Sequence, residues 1–363
     1  MTNSFIAVAD THIGAKLYNI PELEHDLRTL LHNAVSTAIE KKVRYFVVCG
    51  DLYDQMRPHA DLVAFVSDEM DRLWKAKVTP VAISGDHDKR INEHSWATNV
   101  NKFVSGSMCK SIIGADYNDD PAVVMSTIQT LLEGRPANTI EWVFLHGQAP
   151  ELWPFCEEKK KLELKKLDLD NQFESFKGFI MGDIHKPTET TLLISKDGKT
   201  KEVYAGYCGS LGVVKMDEVR TDCMLYFDGK DLTRLTYELP RQYVRLEIDD
   251  AVNRLTEIKD AAKDDKLKPL LVVSYNKTSK ALLAKISDFY KFAIVKTLQV
   301  LDKAGSTSED IRSEVGSTDR VSTVLREVFP DDELYNLAYQ LITTDPPETI
   351  LDGFKLKYLE DSR

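Results

Sequence analysis

Five apolar runs in this chain each end in carboxylate or imidazole side chains, or both. Phe5–Ala9 leads into Asp10-Thr-His12, and Val43–Cys49 into Gly50-Asp51. Thr79–Ser84 leads into Gly85-Asp86-His87-Asp88, Ile140–Leu145 into His146-Gly147, and Phe176–Met181 into Gly182-Asp183-Ile-His185. Phosphoester hydrolysis needs neutralised charge on the phosphoryl oxygens and a nucleophile available near neutral pH. Two metal ions a few ångström apart supply both. A lone D-x-H, or a Gly-Asp after a strand, is commonplace as a turn or a helix cap. Five such endings in order point to a two-metal hydrolytic site. Carboxylate oxygens mixed with imidazole nitrogens favour manganese, with iron, zinc or magnesium as rivals; an all-oxygen set would suit magnesium better.

Asp10 and His12 stand two apart just beyond a strand, where alternating side chains face one pocket. Asp51 is placed to bridge the two ions through its carboxylate. His146, Asp183 and His185 complete the set from later strands, with Asp86 beside them. His87, on a tight Gly-led loop, is placed to donate a proton to the leaving oxygen or to steady charge on the phosphoryl group. Arg57, Lys89, Arg90 and Lys186 flank these motifs and are candidate phosphate contacts. The Lys159–Lys161 and Lys165–Lys166 runs read as a solvated helix face. Of the remaining histidines, His25 and His32 fall on the surface of a helix and His59 near a helix cap.

These side chains need a sheet whose strand ends converge. Pro21–Lys42 carries Leu23, Leu27, Leu30, Leu31, Ala34, Val35 and Ala38 at close to helical period, and His59–Lys77 repeats the pattern. Residues 121–133 form a third candidate helix. Strand and helix therefore alternate, the mark of an α/β core. Leu192–Ile194, Glu202–Ala205 and Cys223–Phe227 suggest a second, more antiparallel sheet packed on the first. Two stacked sheets flanked by helices make a four-layer sandwich over 1–240. Residues 241–301 read strand, helix, strand, helix, strand: a small α/β cap. A polar linker follows at 302–319. The tail at 320–363 carries apolar faces on two helical segments, too small to bury alone; it docks on the body or on a partner.

The chain has 363 residues, 43% hydrophobic and 29% charged, the profile of a globular protein. No apolar run approaches the ~20 residues that span a bilayer, and no secretory signal is evident. Five scattered cysteines form no C-x-x-C pair, which argues against a disulfide framework and for a reducing, cytoplasmic setting. There is no phosphate loop for ATP. The net charge of −11 is unusual for a nucleic-acid enzyme, and implies a local inversion of charge or a partner that supplies binding surface.

At the metal motifs the chain resembles the calcineurin-like metallophosphoesterases. More closely it resembles SbcD-type nuclease subunits of double-strand-break repair and their phage relatives, through Asp10-Thr-His-Ile-Gly14, Gly50-Asp-Leu-Tyr-Asp54 with Arg57-Pro58, Gly182-Asp-Ile-His-Lys-Pro187 and Tyr207-Cys-Gly-Ser210. The resemblance implies a manganese-dependent DNA exonuclease, with or without endonuclease activity, acting on DNA ends. It implies one ion held by Asp10, His12, Asp51 and His185, and another by Asp51, Asp86, His146 and Asp183, with His87 as the transition-state histidine. It further implies an SbcC-type ABC ATPase partner gripped by the C-terminal helices, and a homodimer through the catalytic domain. Two positions depart from the pattern: Asp86 stands where the family usually has Asn, and Asp183 where it usually has His. The extra carboxylate charge predicts a less acidic nucleophile and an activity optimum at higher pH. The rival readings are a phosphoesterase of another substrate class and a catalytically weak DNA-binding scaffold.

Overall fold

The computed structural model describes residues 3–88, 103–105, 109–261, 267–276, 280–291 and 293–300. Lys89, Arg90, the linker at 302–319 and the tail at 320–363 lie outside the described residues. The chain divides into two units, Met1–Gln299 and Val300–Arg363, and every described residue except Val300 belongs to the first.

The first sheet is founded on β1 (Phe5–Val8), β2 (Tyr45–Cys49), β3 (Thr79–Ile83) and β4 (Val104–Ser105), all parallel neighbours. The second comprises β5 (Ile112–Gly114), β6 (Trp142–His146), β7 (Gly178–Gly182), β8 (Thr188–Lys196) and β9 (Lys199–Tyr207), in the order β5-β6-β7-β9-β8. Alternation along β1 decides the layering. Phe5, Ala7 and Ala9 join Val47, Cys49, Val81 and Ile83 against Ile112, Trp142, Phe144 and Ile180 of the other sheet. The Phe5 ring lies edge-on to Trp142 and Phe144, with centroids 5.6 and 5.4 Å away. Ile6, Val8, Phe46 and Val48 face the other way, under α1 (Pro21–Glu40) and α2 (Ala60–Lys75). On the far side α3 (Pro121–Glu133) covers the second sheet through Val124, Ile128 and Leu132. Pro21 and Pro121 occupy the first helical turn, where a missing N–H costs nothing, and Asp120 caps α3 by accepting from the Ala122 N–H at 2.9 Å. The result is the four-layer sandwich expected from the alternation.

One expectation about the second sheet is corrected. Cys223–Phe227 does not join it: β10 (Met224–Phe227) returns to the first sheet and pairs antiparallel with β1, followed by β11 (Leu232–Leu235). The second sheet is mainly parallel, and only its edge hairpin β8–β9 is antiparallel. The β6 and β7 strands are buried on both faces, as parallel strands between two layers must be.

A third, all-parallel sheet holds β12 (Tyr243–Glu247), β13 (Leu270–Tyr275) and β14 (Ile294–Gln299). One face packs Leu271 and Val273 against Ile248, Ala251, Ile286 and Phe289, from α4 (Ile248–Asn253) and the 3-10 helix Lys280–Lys291. Leu270 and Val272 pack the other way onto Leu17, Leu23, Val213 and Met216. A buried ion pair fastens this sheet to α1: Arg241 meets Asp26 through Nε at 2.5 Å and Nη2 at 2.9 Å, and the Tyr243 hydroxyl donates to the same carboxylate at 2.8 Å. No described helix is long and apolar enough to cross a membrane.

Candidate metal centre

The seven ligand candidates converge at the carboxyl ends of β1, β2, β3, β6 and β7, where open α/β sheets gather ligands. Asp51 is central. Its Oδ1 accepts from the His87 N–H at 2.9 Å, which leaves Oδ2 3.7 Å from His12 Nε2 and 3.5 Å from His146 Nε2. One oxygen therefore faces both halves of the site. Asp10, His12 and His185 form one cluster, and Asp86, His146 and Asp183 another, each with ligand atoms within 4.8 Å of one another. His12 and His185 bring their Nε2 atoms to 3.2 Å. Two converging imidazole nitrogens beside carboxylates form a donor set suited to a divalent transition metal.

Second contacts aim these rings. His146 Nδ1 donates to the Cys49 carbonyl at 2.9 Å, so in the neutral ring Nε2 carries the lone pair that faces the site. Glu218 Oε2 lies 2.9 Å from His185 Nδ1, and Asp54 Oδ1 lies 3.5 Å from His12 Nδ1. His87 Nδ1 donates to the Asp54 carbonyl at 2.9 Å, and the residue is exposed. Burial works against the charged form of His87. The Asp54 carbonyl and the carboxylates of Asp51, Asp86 and Asp54 outweigh it and hold the ring above the usual imidazole value. His146 is fully buried, which opposes its charge, yet Asp51, Asp86, Asp10 and Asp183 raise it well above that value. The cavity is a sink for positive charge.

The backbone is shaped for this convergence. Asp10, His12, Asp51 and Asp183 all have positive φ, at 48°, 43°, 50° and 91°. Such conformations are uncommon outside glycine, cost about 1–3 kcal/mol each, and cluster at functional sites. Gly85 has no substitute here, because a Cβ would stand 2.0 Å from Asp51 Oδ1.

Several supporting residues lie outside the seven ligand candidates. Buried Asp88 accepts from the N–H groups of Leu52, Tyr53 and Gly85 at 2.9, 2.9 and 3.3 Å, stapling the loop after β3 to the loop after β2. Gln148 donates to Asp183 Oδ2 at 2.8 Å. The Ser210 hydroxyl donates to the Asp10 carbonyl at 2.7 Å. Its N–H donates to the His185 carbonyl at 3.0 Å. This one residue ties the loop after β1 to the loop after β7, which gives the Tyr207–Ser210 motif a positioning role.

The lysine run is the main correction at the site. Lys159, Lys165 and Lys166 are exposed as expected, although on short 3-10 turns rather than one long helix. Lys160 is not solvated: its Nζ sits 2.8 Å from Asp86 Oδ2 and 2.5 Å from Asp183 Oδ1, and its side chain is only 13% exposed. Charge-run reasoning missed it because one residue of a basic triplet turns inward. Of the four candidate phosphate contacts, Arg57 and Lys186 are exposed on the loops that follow Asp51 and His185. Lys89 and Arg90 lie outside the described residues.

The calcineurin-like phosphoesterase family model matches residues 4–187, the span that contains all seven converging residues. The chain belongs to this family. The DNA double-strand break repair protein Mre11 of Saccharolobus solfataricus is 30% identical over 81 residues, 22% of this chain and 21% of that protein. The protein of the same name from Sulfurisphaera tokodaii is 34% identical over 83 residues, with 22% and 21% covered. These matches span about a fifth of each relative's length. Among solved structures, a dimetal phosphatase from Danio rerio aligns over 65% of this chain and 99% of its own, at 11% identity and a TM-score of 0.36.

Proposed function

We propose that this metallophosphoesterase is a DNA nuclease subunit that hydrolyses phosphodiester bonds at double-strand ends. The observation that carries the hydrolytic part is Asp51 Oδ2, 3.7 Å from His12 and 3.5 Å from His146. The local similarity to double-strand break repair proteins supports the choice of DNA. Asp10, His12, Asp51 and His185 would hold one divalent ion, and Asp51, Asp86, His146 and Asp183 the other, with manganese the preferred metal. Bound there, two ions would supply charge neutralisation and a nucleophilic water at neutral pH.

The chain's own residues do the rest. His87 keeps Nδ1 on the Asp54 carbonyl and offers Nε2, protonated, to the leaving oxygen. Arg57, Lys89, Arg90 and Lys186 would contact backbone phosphates and would locally offset the overall charge of −11. The tail at 320–363 would engage an SbcC-type ABC ATPase, the sheet of β12–β14 would contact DNA, and the catalytic domain would pair with a second copy.

The test is degradation of end-labelled linear double-stranded DNA in manganese, alone and with the ATPase partner. Cleavage is expected from the wild type. His87→Ala should lower it by about 10²–10⁴-fold while leaving metal uptake intact. A phosphodiesterase active on small diesters but inert on DNA, with or without the partner, would overturn the nuclease reading. Metal uptake and DNA binding without any hydrolysis would favour the scaffold.

A further inference from the structure

The two halves of the site differ in what already fills them. Among the described residues, no lysine or arginine pairs with Asp10, His12, Asp51 or His185. In the other half Lys160 bridges Asp86 Oδ2 and Asp183 Oδ1 at 2.8 and 2.5 Å. The second oxygen of Asp183 is held by Gln148 Nε2 at 2.8 Å, and the second oxygen of Asp86 lies 3.3 Å from His146 Nε2. All four carboxylate oxygens of Asp86 and Asp183 thus face a partner from the chain itself.

The lysine is delivered there by the backbone. The Lys160 carbonyl accepts from the Gln148 N–H at 2.7 Å, and the Gln148 carbonyl accepts from the Leu162 N–H at 2.7 Å. Lys161 bridges to Gln148 in parallel register. The segment that follows His146 therefore carries both Gln148 and, across this short ladder, Lys160. Gly147, at a φ of 149°, allows the approach: a Cβ there would stand 3.0 Å from the Lys160 carbonyl oxygen. Two carboxylates and one ammonium leave a net charge of −1 where Asp86 and Asp183 alone would present −2.

We propose that Lys160 is an internal cation seated in the Asp86–His146–Asp183 half of the site, and that it competes with the second metal ion for the two carboxylates. This rests on the two-metal reading above. The consequence is sequential loading. The first ion binds among Asp10, His12, Asp51 and His185 without displacing a lysine or arginine side chain. The second binds only when the Lys160 side chain swings aside, so the dinuclear state forms at higher metal concentration. Lys160 is a positioning residue in this scheme: it acts through Asp86 and Asp183.

The experiment is Mn²⁺ titration of the full-length protein by equilibrium dialysis. Electron paramagnetic resonance would report the exchange-coupled ion pair. Wild type should take up two equivalents in two steps separated by about tenfold or more, the factor that ~1.4 kcal/mol of competition produces. Lys160→Met, with Lys160→Gln as a second variant that keeps a polar end, should tighten the second step about tenfold, leave the first unchanged, and bring the coupled signal in at lower manganese. Lys159→Met, at an exposed neighbour, should change neither step. An unchanged or weakened second step in folded Lys160 variants would overturn the proposal. Failure of every protein to take up two equivalents would instead remove the two-metal reading, and the inference with it.

Discussion

Asp88 offers the sharpest test of how the site is held together. It is buried at 2% exposure and accepts three backbone N–H groups, from Leu52, Tyr53 and Gly85. Burial and the nearby Asp51 carboxylate nevertheless push its pKa up from 3.8 to about 6. Desolvation and repulsion thus outweigh the three hydrogen bonds. The folded protein binds a proton here more tightly than the unfolded chain, so stability falls as pH rises from the unfolded value through the folded one. A tenfold difference in proton affinity is worth about 1.4 kcal/mol. Linkage over the window from pH 4.5 to 7 then gives a loss of about 2 kcal/mol from this group. Asp88→Asn cannot titrate, so the difference in stability between variant and wild type should swing in the variant's favour by about 2 kcal/mol over that window. At low pH the variant should be the less stable. Its amide nitrogen, unlike the hydroxyl oxygen of a carboxylic acid, cannot accept from a backbone N–H, and the stranded donor costs about 1–3 kcal/mol. The assay is urea unfolding of chelator-treated protein at a series of pH values. A difference curve that stays flat between pH 4.5 and 7 would refute the reasoning, because it would mean that Asp88 is no harder to ionise in the fold than outside it.

Three further outcomes rest on the same geometry. Asp26→Ala strands the Arg241 guanidinium, 5% exposed, without its bidentate partner; the expected loss is about 3–5 kcal/mol, read as a lower urea midpoint. Gly85→Ala forces a Cβ against Asp51 Oδ1 and its backbone nitrogen; manganese affinity measured by dialysis should fall while the circular dichroism spectrum is kept. Replacing Asp86 by Asn and Asp183 by His together removes two negative charges from the metal cavity, so the pH–rate profile for phosphodiester cleavage should move to lower pH. An unmoved profile would show that local carboxylate charge does not set the nucleophile's acidity.

The candidate ligands are legible in the sequence because each stands at the abrupt end of a buried run. Asp10 and Asp51 lie just beyond wholly buried strands, and His146 closes another, so the first polar residue marks the strand's end and the pocket beneath it. The helices over Pro21–Glu40 and Ala60–Lys75 are equally plain from their period. The sheet to which β10 belongs is not legible in the same way. A short apolar strand fits the edge of either sheet, and only long-range pairing with Phe5, Ile6 and Ala7 settles it. Lys160, Gln148 and Glu218 escape for a related reason. They sit on irregular segments or short turns without periodicity. Lys160 and Gln148 reach Asp183 from 23 and 35 residues away, and Glu218 reaches His185 from a separate turn.

The left-handed backbone at four candidate ligand positions explains why the same residue types recur at these strand ends. Asp, Asn and His tolerate positive φ better than other side chains, and Asp and His are also side chains that bind divalent ions. Three of the four strained residues make hydrogen bonds that this backbone allows. The Asp10 N–H donates to the Gly50 carbonyl and the His12 N–H to the Asp51 carbonyl, at 3.1 and 3.0 Å. The Asp183 N–H points at the Asp10 carboxylate, 3.1 and 3.2 Å from its two oxygens. These bonds join the ends of β1, β2 and β7 directly, so the ligand loops brace one another across the two sheets. A substitution at Asp10 therefore removes a candidate ligand and also the acceptor that fixes Asp183. The coupling runs through Asp10: damage to the cluster around His12 should propagate to the cluster around His146 through the Asp183 N–H bond to the Asp10 carboxylate.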